Sequence, residues 1–147
     1  MTDAPRILIA TSRYYADIAA ELEAGVIDGL KKVGAEYEIL EVPGAFELPG
    51  AIAMAAETGE FDGFVALGCV IRGETSHYDL ICTEVARGLM DLSLAGVPVA
   101  LGVLTVENKE QARVRADRKQ KNKGAEAVAA VLRMVGVSYR FREGVEE

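Results

Sequence analysis

Apolar residues along the chain form two kinds of pattern, short continuous runs and longer stretches with helical spacing. The short runs predict strands at Arg6–Thr11, Tyr37–Val42, Phe64–Cys69 and Val99–Thr105. The spaced stretches predict helices at Asp17–Val33, Leu48–Thr58, Ser76–Leu94, Lys109–Arg115 and Gly124–Val135. In the first of these helices, Ile18, Leu22 and Val26 recur every four residues, as expected for one buried face.

Strands and helices alternate along the chain, which predicts a particular arrangement of layers. Strands joined by helices form a parallel sheet that is covered by helices on both faces. We therefore expect a single domain over residues 1–147, a three-layer α/β/α sandwich of the flavodoxin-like class with a four-stranded parallel sheet. Ligands of such folds bind beyond the carboxyl ends of the strands.

The least ordinary segments of the chain all follow predicted strands. They are Ser12–Tyr15, Pro43–Pro49, Val70–His77 and Thr105–Asn108. Because the carboxyl ends of parallel strands meet at one edge of a sheet, we expect a ligand site to form there.

The third of these segments combines a glycine turn with the only histidine of the chain. Gly73 is followed by Thr75 and Ser76 at a predicted helix start, where free backbone N–H groups and hydroxyls can hold phosphate. His77 lies beside that position and can take and give a proton near neutral pH. The alternative is structural: Ser76 and Asp79 also fit a capping box, with the histidine merely part of the first helical turn.

Two further edge residues have both a binding and a structural interpretation. Glu47, in a turn stiffened by two prolines, can accept hydrogen bonds from the hydroxyls of a polyol, or it can stabilise a helix N-terminus. Tyr14 can stack on a flat heterocycle, or it can close the end of the core.

The charge distribution indicates a small anionic ligand rather than a polyanion. The 147 residues carry a net charge of −7, which argues against general binding of nucleic acid or anionic membranes. Between Arg113 and Lys123, however, six basic residues stand against one acid. For Arg118, Lys119 and Lys121 we favour the simpler interpretation of a solvated loop.

Cysteine content and the N-terminal sequence narrow the class of protein further. Cys69 and Cys82 form no metal or disulfide pattern, so we expect two small core residues and no metal site. The first six residues lack the features of a secretory signal, and no apolar run is long enough to span a membrane. We expect a soluble cytoplasmic protein.

Four motifs together resemble the lumazine synthase family. They are VPGAFELP at 42–49, LGCVIRGETSHYD at 67–79, LTVEN at 104–108 and NKG at 122–124. The resemblance spans nearly the whole chain in order. It implies condensation of 5-amino-6-ribitylamino-uracil with 3,4-dihydroxy-2-butanone 4-phosphate, giving 6,7-dimethyl-8-ribityllumazine and phosphate with no cofactor or metal.

The resemblance also assigns expected roles to individual residues of the pyrimidine site. Tyr14 matches the aromatic position that stacks on the ring, and Tyr15 departs from the small amide that many members have next to it. The ribityl chain is expected at Ala45, Phe46 and Glu47, with Glu47 taking its hydroxyls. The strand-end residues Cys69, Val70 and Ile71 are expected to contact the heterocycle.

The expected phosphate site and proton carrier follow from the same motifs. Gly73, Glu74 and Thr75 match the phosphate cradle, and Arg115 matches the cation that faces the phosphate. His77 is the expected proton carrier, and Lys123 is expected to line the pocket. We expect the Glu74 carboxylate to turn away from the phosphate toward Arg72, which we interpret as structural.

The family forms pentamers, and this implies homopentamers with active sites between neighbouring subunits. Leu101 and the 115–123 region are expected to come from the adjacent subunit. Shell-forming members usually have glycines before the last helix, whereas Asp117–Asn122 contains none, so we expect isolated pentamers or a pair of them. The alternative function is a paralogue that binds a lumazine or flavin without making it.

Overall fold

The structure is a computed structural model that describes residues 4–146, with side chains described as far as residue 142. Four strands are present: β1 (Arg6–Ser12), β2 (Glu36–Val42), β3 (Gly63–Ile71) and β4 (Val99–Val106). Five α-helices connect and follow them: α1 (Ala16–Lys32), α2 (Leu48–Glu57), α3 (His77–Leu94), α4 (Lys109–Ala116) and α5 (Lys123–Glu146). A short 3-10 helix, Ala45–Glu47, precedes α2.

The four strands form one parallel sheet in the order β2-β1-β3-β4, which confirms the predicted fold class. The chain starts near the middle of the sheet, adds β2 on one side and then crosses to β3 and β4 on the other. This reversal places the strand ends of β1 and β3 next to each other, at the point where flavodoxin-like folds bind ligands.

Apolar side chains fill both faces of the sheet. Ile7, Ile9 and Val65 face α1, α4 and α5 in one buried cluster. Leu8, Ala10 and Phe64 face α2 and α3 in a second cluster. Successive residues of β1 therefore alternate between two cores, which is why its sequence is a continuous apolar run rather than an alternating one.

Helices α1 and α5 approach each other through glycines. A Cβ added to Gly124 would lie 2.6 Å from the backbone oxygen of Leu22, and one added to Gly25 would lie 2.6 Å from the side-chain oxygen of Asn122. Asn122 has a φ of 42° and accepts a hydrogen bond from the Ala125 N–H, so it caps the start of α5. This contact fixes the position of the basic segment, Arg113–Lys123, relative to α1.

Three predictions from the sequence need correction. The last helix was expected to end at Val135, but α5 continues to Glu146, because Tyr139 beyond Gly136 still packs against the core and this offsets the cost of a helical glycine. The third strand was expected to end at Cys69, but it extends to Ile71. Cys69 and Cys82 were expected in the core, but both are only half-buried.

Two predictions concern the chain as a whole. No helix within residues 4–146 is long and apolar enough to cross a membrane. The single domain over residues 1–147 stays a prediction, and its first three residues and Glu147 lie outside the described part of the chain.

Candidate active site

A cavity of about 390 Å³ lies at the carboxyl edge of the sheet, where three of the four predicted segments meet. The lining residues are Ser12, Tyr14, Tyr15, Gly44, Ala45, Phe46, Glu47, Cys69, Val70, Ile71, His77 and Ile81. Eight of the expected binding residues are therefore in one place, since all of them except Leu101, Lys123 and the phosphate-binding residues line this cavity. The fourth segment, Thr105–Asn108, does not line it.

Besides Tyr15, three lining residues were not among the site residues expected from the sequence. Ser12 ends β1 at this edge, and Gly44 begins the turn before α2. Ile81 lies four residues after His77, so the helical repeat puts both side chains on one face of α3. That spacing was a usable signal, because any ligand that contacts the histidine also meets the isoleucine.

Two adjacent tyrosines follow β1. Tyr14 is 78% exposed, so it does not close the core as the structural alternative required. Tyr15 instead packs partly against the core, and burial raises the pKa of its hydroxyl. The two rings meet edge to face, with centroids 4.9 Å apart and planes at 80°. The two rings are thus in direct contact beside the cavity.

The turn before α2 presents an aromatic ring and a carboxylate. Phe46 and Glu47 are both exposed on the short 3-10 helix, and Pro49 lies in the first turn of α2. Glu47 occupies the N-cap position of α2 without making a side-chain capping bond. Its carboxylate is thus available to a ligand, and it also lies at the partly positive N-terminus of α2, so both interpretations from the sequence stay open.

The β3–α3 connection carries the histidine. Strand β3 ends at Ile71, and α3 begins at His77, whose exposed side chain lines the cavity. The imidazole is therefore not part of the hydrophobic core. It can reach a ligand that also contacts Tyr14 and Glu47, because all three side chains line the same cavity.

The expected phosphate cradle, Gly73–Thr75, is exposed at the rim of the cavity. The Thr75 hydroxyl oxygen accepts a hydrogen bond from the His77 backbone N–H at 3.3 Å. Ser76 makes no capping bond, so the predicted Ser76–Asp79 capping box is not formed. A Cβ at Gly73 would meet no atom within 4 Å, which leaves this backbone open to solvent and to a ligand.

Arg72 connects the start of the β3–α3 loop, which carries the expected phosphate cradle, to neighbouring elements. Its Nε–H lies 3.0 Å from both carboxylate oxygens of Glu107, and its Nη1 lies 3.3 Å from the Asp79 carboxylate. The guanidinium also lies 4.3 Å from the centre of the Tyr78 ring. Arg72 was expected to attract Glu74, but its partners are Glu107 and Asp79, and these contacts support a structural interpretation on different grounds.

Three of the six basic residues between Arg113 and Lys123 pair with neighbouring acids, namely Arg113, Arg118 and Lys123. Arg113 pairs with Glu110. Arg118 contacts Glu21 and Asp28 of α1 at 2.8 and 3.1 Å, so the expectation of a merely solvated arginine is wrong for this residue.

The remaining expected residues do not join the cavity within one chain. Arg115 is half-buried and donates to the backbone oxygen of Gln111 at 3.1 Å, and Lys123 pairs with Glu126 at 3.0 Å. Leu101, which is 60% exposed, lines a separate hollow between β4 and α3. One chain therefore brings eight of the expected site residues to one cavity, and these three residues lie elsewhere on its surface.

Cys69 adds an inert wall to the cavity. Burial raises the pKa of its thiol from 9.0 to about 11. Since the thiolate is the nucleophilic form, the side chain is a neutral, weakly polar surface at neutral pH. This agrees with a contact role and gives no support to redox chemistry.

A further hollow, distinct from the one at Leu101, lies at the opposite edge of the sheet, between the end of α3 and the second half of α5. It measures about 490 Å³ and is lined mainly by apolar groups, among them Val97, Met134 and Phe141. Its ionisable side chain is Arg142, so it offers no proton carrier. Among the described residues, no group of three or more His, Cys, Asp or Glu side chains could hold a metal ion.

The fold and the cavity define a class of protein. A flavodoxin-like α/β/α sandwich holds an aromatic ring, a carboxylate and an imidazole at its carboxyl edge, beside an open helix start. These features define an α/β protein whose candidate ligand site lies at the carboxyl edge of its parallel sheet.

Comparison with known sequences identifies the family. The family model described as 6,7-dimethyl-8-ribityllumazine synthase matches residues 4–138. A 6,7-dimethyl-8-ribityllumazine synthase of Erythrobacter litoralis is 50% identical over 92% of this chain and 97% of its own. Those of Novosphingobium aromaticivorans and Zymomonas mobilis are each 48% identical over 92% of this chain and 98% of their own. The chain belongs to the 6,7-dimethyl-8-ribityllumazine synthase family.

Proposed function

We propose that this chain is an enzyme that condenses 5-amino-6-ribitylamino-uracil with 3,4-dihydroxy-2-butanone 4-phosphate. The products are 6,7-dimethyl-8-ribityllumazine, inorganic phosphate and water. Membership of the family supports this reaction, and the curated relatives carry the name of the enzyme. The reaction requires no net oxidation or reduction, and it proceeds with neither cofactor nor metal.

The observation that carries the proposal is the convergence of three loops on one cavity. Tyr14 comes from the β1–α1 connection, Glu47 from the turn before α2, and His77 from the start of α3. Each suits one requirement of the reaction: a ring to stack on the pyrimidine, an acceptor for ribityl hydroxyls, and a proton carrier. Two substrates held side by side in the reactive orientation react faster, because the entropy of bringing them together has already been lost on binding.

The pyrimidine lies against Tyr14, and its ribityl chain follows Ala45 and Phe46 to the Glu47 carboxylate. Cys69, Val70 and Ile71 form the floor beneath the ring. These three residues are half-buried at the end of β3 and line the cavity, which supports that placement. Their side chains would exclude water from the side of the ring that faces β3.

The phosphorylated ketone lies with its phosphate over Gly73, Glu74 and Thr75. Backbone N–H groups at the start of α3 and the Thr75 hydroxyl hold the anion, and Arg115 supplies a cation. His77 moves protons as the amine of the pyrimidine attacks the ketone carbon and again as phosphate leaves. The Glu74 side chain has no hydrogen-bond or ion-pair partner among the described residues and can turn to solvent, away from the like charge.

The complete site requires a neighbouring subunit. Leu101, Arg115 and Lys123 lie away from the cavity of their own chain, and a homopentamer brings them to the cavity of the next. Large apolar side chains left exposed on α3, namely Leu80, Met90 and Leu94, support contact with another subunit. We place the enzyme in the cytoplasm, as isolated pentamers or a pair of pentamers.

Turnover with both substrates tests the function. The purified chain should form lumazine, followed by its absorbance, and release one phosphate for each lumazine. A chain that binds lumazine but forms none and releases no phosphate would be the non-catalytic paralogue, and the proposal would be wrong.

Co-expression of two impaired variants, assayed with both substrates well below their KM values, tests the shared site. Glu47→Ala and Arg115→Ala damage opposite sides of the proposed interface, so a random mixture in a ring restores an undamaged site at about one quarter of the interfaces. The matched control is Glu47→Ala with His77→Ala, which damages the same side and should restore nothing beyond the activity of its single variants. Equal activity in both mixtures would contradict a site shared between subunits.

A further inference from the structure

One carboxylate is buried beside the candidate active site without contributing to the proposed chemistry. Glu23 of α1 is only 8% exposed, and it is the one buried carboxylate in the part of the chain that the structure describes. A buried carboxylate is costly unless hydrogen bonds satisfy it. Glu23 is satisfied on both oxygens, and each bond comes from the strand end that leads to Tyr14.

The partners of Glu23 are Thr11 and Arg13. The Thr11 hydroxyl donates to Oε2 at 2.9 Å, and the Arg13 guanidinium donates through Nε to Oε2 and through Nη2 to Oε1, both at 2.9 Å. Two parallel bonds of this kind fix the plane and the direction of a guanidinium, which a single charge contact does not.

The remaining arm of Arg13 reaches a second element. Its Nη1 lies 3.3 Å from the Glu41 carboxylate near the end of β2. Arg13 thus connects α1, the β1–α1 loop and the strand that leads into the turn carrying Phe46 and Glu47. Both walls of the pyrimidine side of the cavity are attached to one side chain.

Tyr14 needs such an attachment because its own side chain is 78% exposed. A residue that is so exposed gains little from burial, so, apart from its contact with Tyr15, the position of its ring depends on the backbone on which it sits. Arg13 immediately precedes Tyr14 on that backbone, and the Glu23 carboxylate binds the Arg13 guanidinium.

We propose that the Glu23–Arg13 pair is a positioning device that sets Tyr14 for the pyrimidine ring. This role rests on the proposed function, because it specifies how that site holds its flat substrate. The pair lies on the pyrimidine side, whereas the phosphate cradle begins beyond β3. Weakening the pair therefore affects the affinity for the pyrimidine and leaves the affinity for the phosphorylated ketone unchanged.

Two variants and a matched control test the device. Glu23→Gln keeps the shape but loses the charge, and Arg13→Lys keeps the charge but loses the two-bond geometry. Glu38→Gln is the control. Glu38 lies on β2 like Glu41, but nearer the amino-terminal end of that strand and away from the cavity, and it contacts Arg6 at 3.3 Å. The substitution therefore removes a comparable arginine partner without touching Arg13. We expect about tenfold weaker pyrimidine binding and a similar rise in its KM for both test variants, and no change for the control.

Calorimetric titration with the pyrimidine alone, together with steady-state KM values for both substrates, separates the outcomes. Pyrimidine binding within twofold of wild type in both variants, or an equal loss for both substrates, overturns the device while the proposed function stands. A wild-type chain that binds the pyrimidine without turnover refutes the proposed function, and titration of the variants still decides the device. If the wild type neither binds nor turns over, both fall. If Glu23→Gln does not fold, Arg13→Lys alone decides.

Discussion

Replacing Gly124 with alanine should loosen the contact that holds α5 and the basic segment against α1. A Cβ at this position would lie 2.6 Å from the Leu22 oxygen, 3.0 Å from the Val26 nitrogen and 3.2 Å from the Gly25 carbonyl carbon. All three are backbone atoms in the middle of α1, so none can move aside as a flexible side chain would. The helices must separate instead.

The size of the effect follows from those distances. Ordinary contact between such atoms requires about 3.5 Å, so the helix start must shift by roughly 1 Å. Overpacking of this kind costs about 1–3 kcal/mol of unfolding free energy. Lys123 immediately precedes Gly124 and should move with it, so the variant should also turn over more slowly.

Gly136 on the same helix supplies the matched control. It lies on the exposed side of α5, and a Cβ there would meet no atom within 4 Å. Gly136→Ala should therefore raise the unfolding free energy by about 0.5–1 kcal/mol, through helix propensity alone. Glycine-to-alanine substitution should therefore lower the unfolding free energy at position 124 and raise it at position 136, twelve residues further along the same helix.

Urea unfolding at one fixed protein concentration measures both variants, since the stability of an oligomer depends on concentration. A Gly124→Ala variant as stable as wild type would refute the close approach of α1 and α5. A destabilised Gly136→Ala would show that the exposed side of α5 is covered in the assembled protein.

Three further predictions concern the chemistry of the site. His77→Ala should lower kcat by about 10²–10⁴ and still leave measurable lumazine formation, because positioning remains; complete loss of turnover in a folded pentamer would contradict this. Arg115→Ala should raise the KM for the phosphorylated ketone about tenfold or more and leave the KM for the pyrimidine unchanged, and initial rates with each substrate varied would reveal an equal effect on both. Burial favours the neutral thiol and raises the pKa of Cys69 to about 11. In a Cys82→Ala background, alkylation of Cys69 by iodoacetamide should therefore be slow at neutral pH and become faster only as the pH approaches 11. Fast labelling at pH 7 would contradict this prediction.

Local patterns in the sequence were sufficient to predict the layers of the fold. The continuous apolar run of β1 and the four-residue repeat of α1 each determine their own element, because burial on two faces or on one face leaves a direct trace. The end of α5 was missed because Gly136 resembles a helix stop, and only the structure shows that it lies on an exposed helix face.

The cavity was predictable because parallel strands end at one edge. Tyr14, Glu47 and His77 each follow a different strand, so the fold class alone predicts that they meet. Which structural alternatives fail could not be predicted, since the exposure of Tyr14 and the missing capping bond of Ser76 depend on packing.

Long-range ion pairs left no trace in the sequence. Arg72 and Glu107 are 35 residues apart, and Arg118 and Glu21 are 97 residues apart. Glu23 was hidden for a related reason: a glutamate beside Leu22 is typical of a solvent-facing position until Arg13 and Thr11 are known to lie under it. Such partners become visible only when the chain is folded.

The most direct test of the proposed site is a crystal structure of the assembled protein with a ribityl pyrimidine analogue and inorganic phosphate. We expect the ring against Tyr14, the ribityl hydroxyls on Glu47, and the phosphate over Gly73–Thr75 with Arg115 of the neighbouring subunit in contact. A pyrimidine bound in the apolar hollow at the opposite edge of the sheet, or a phosphate held away from α3, would contradict the account.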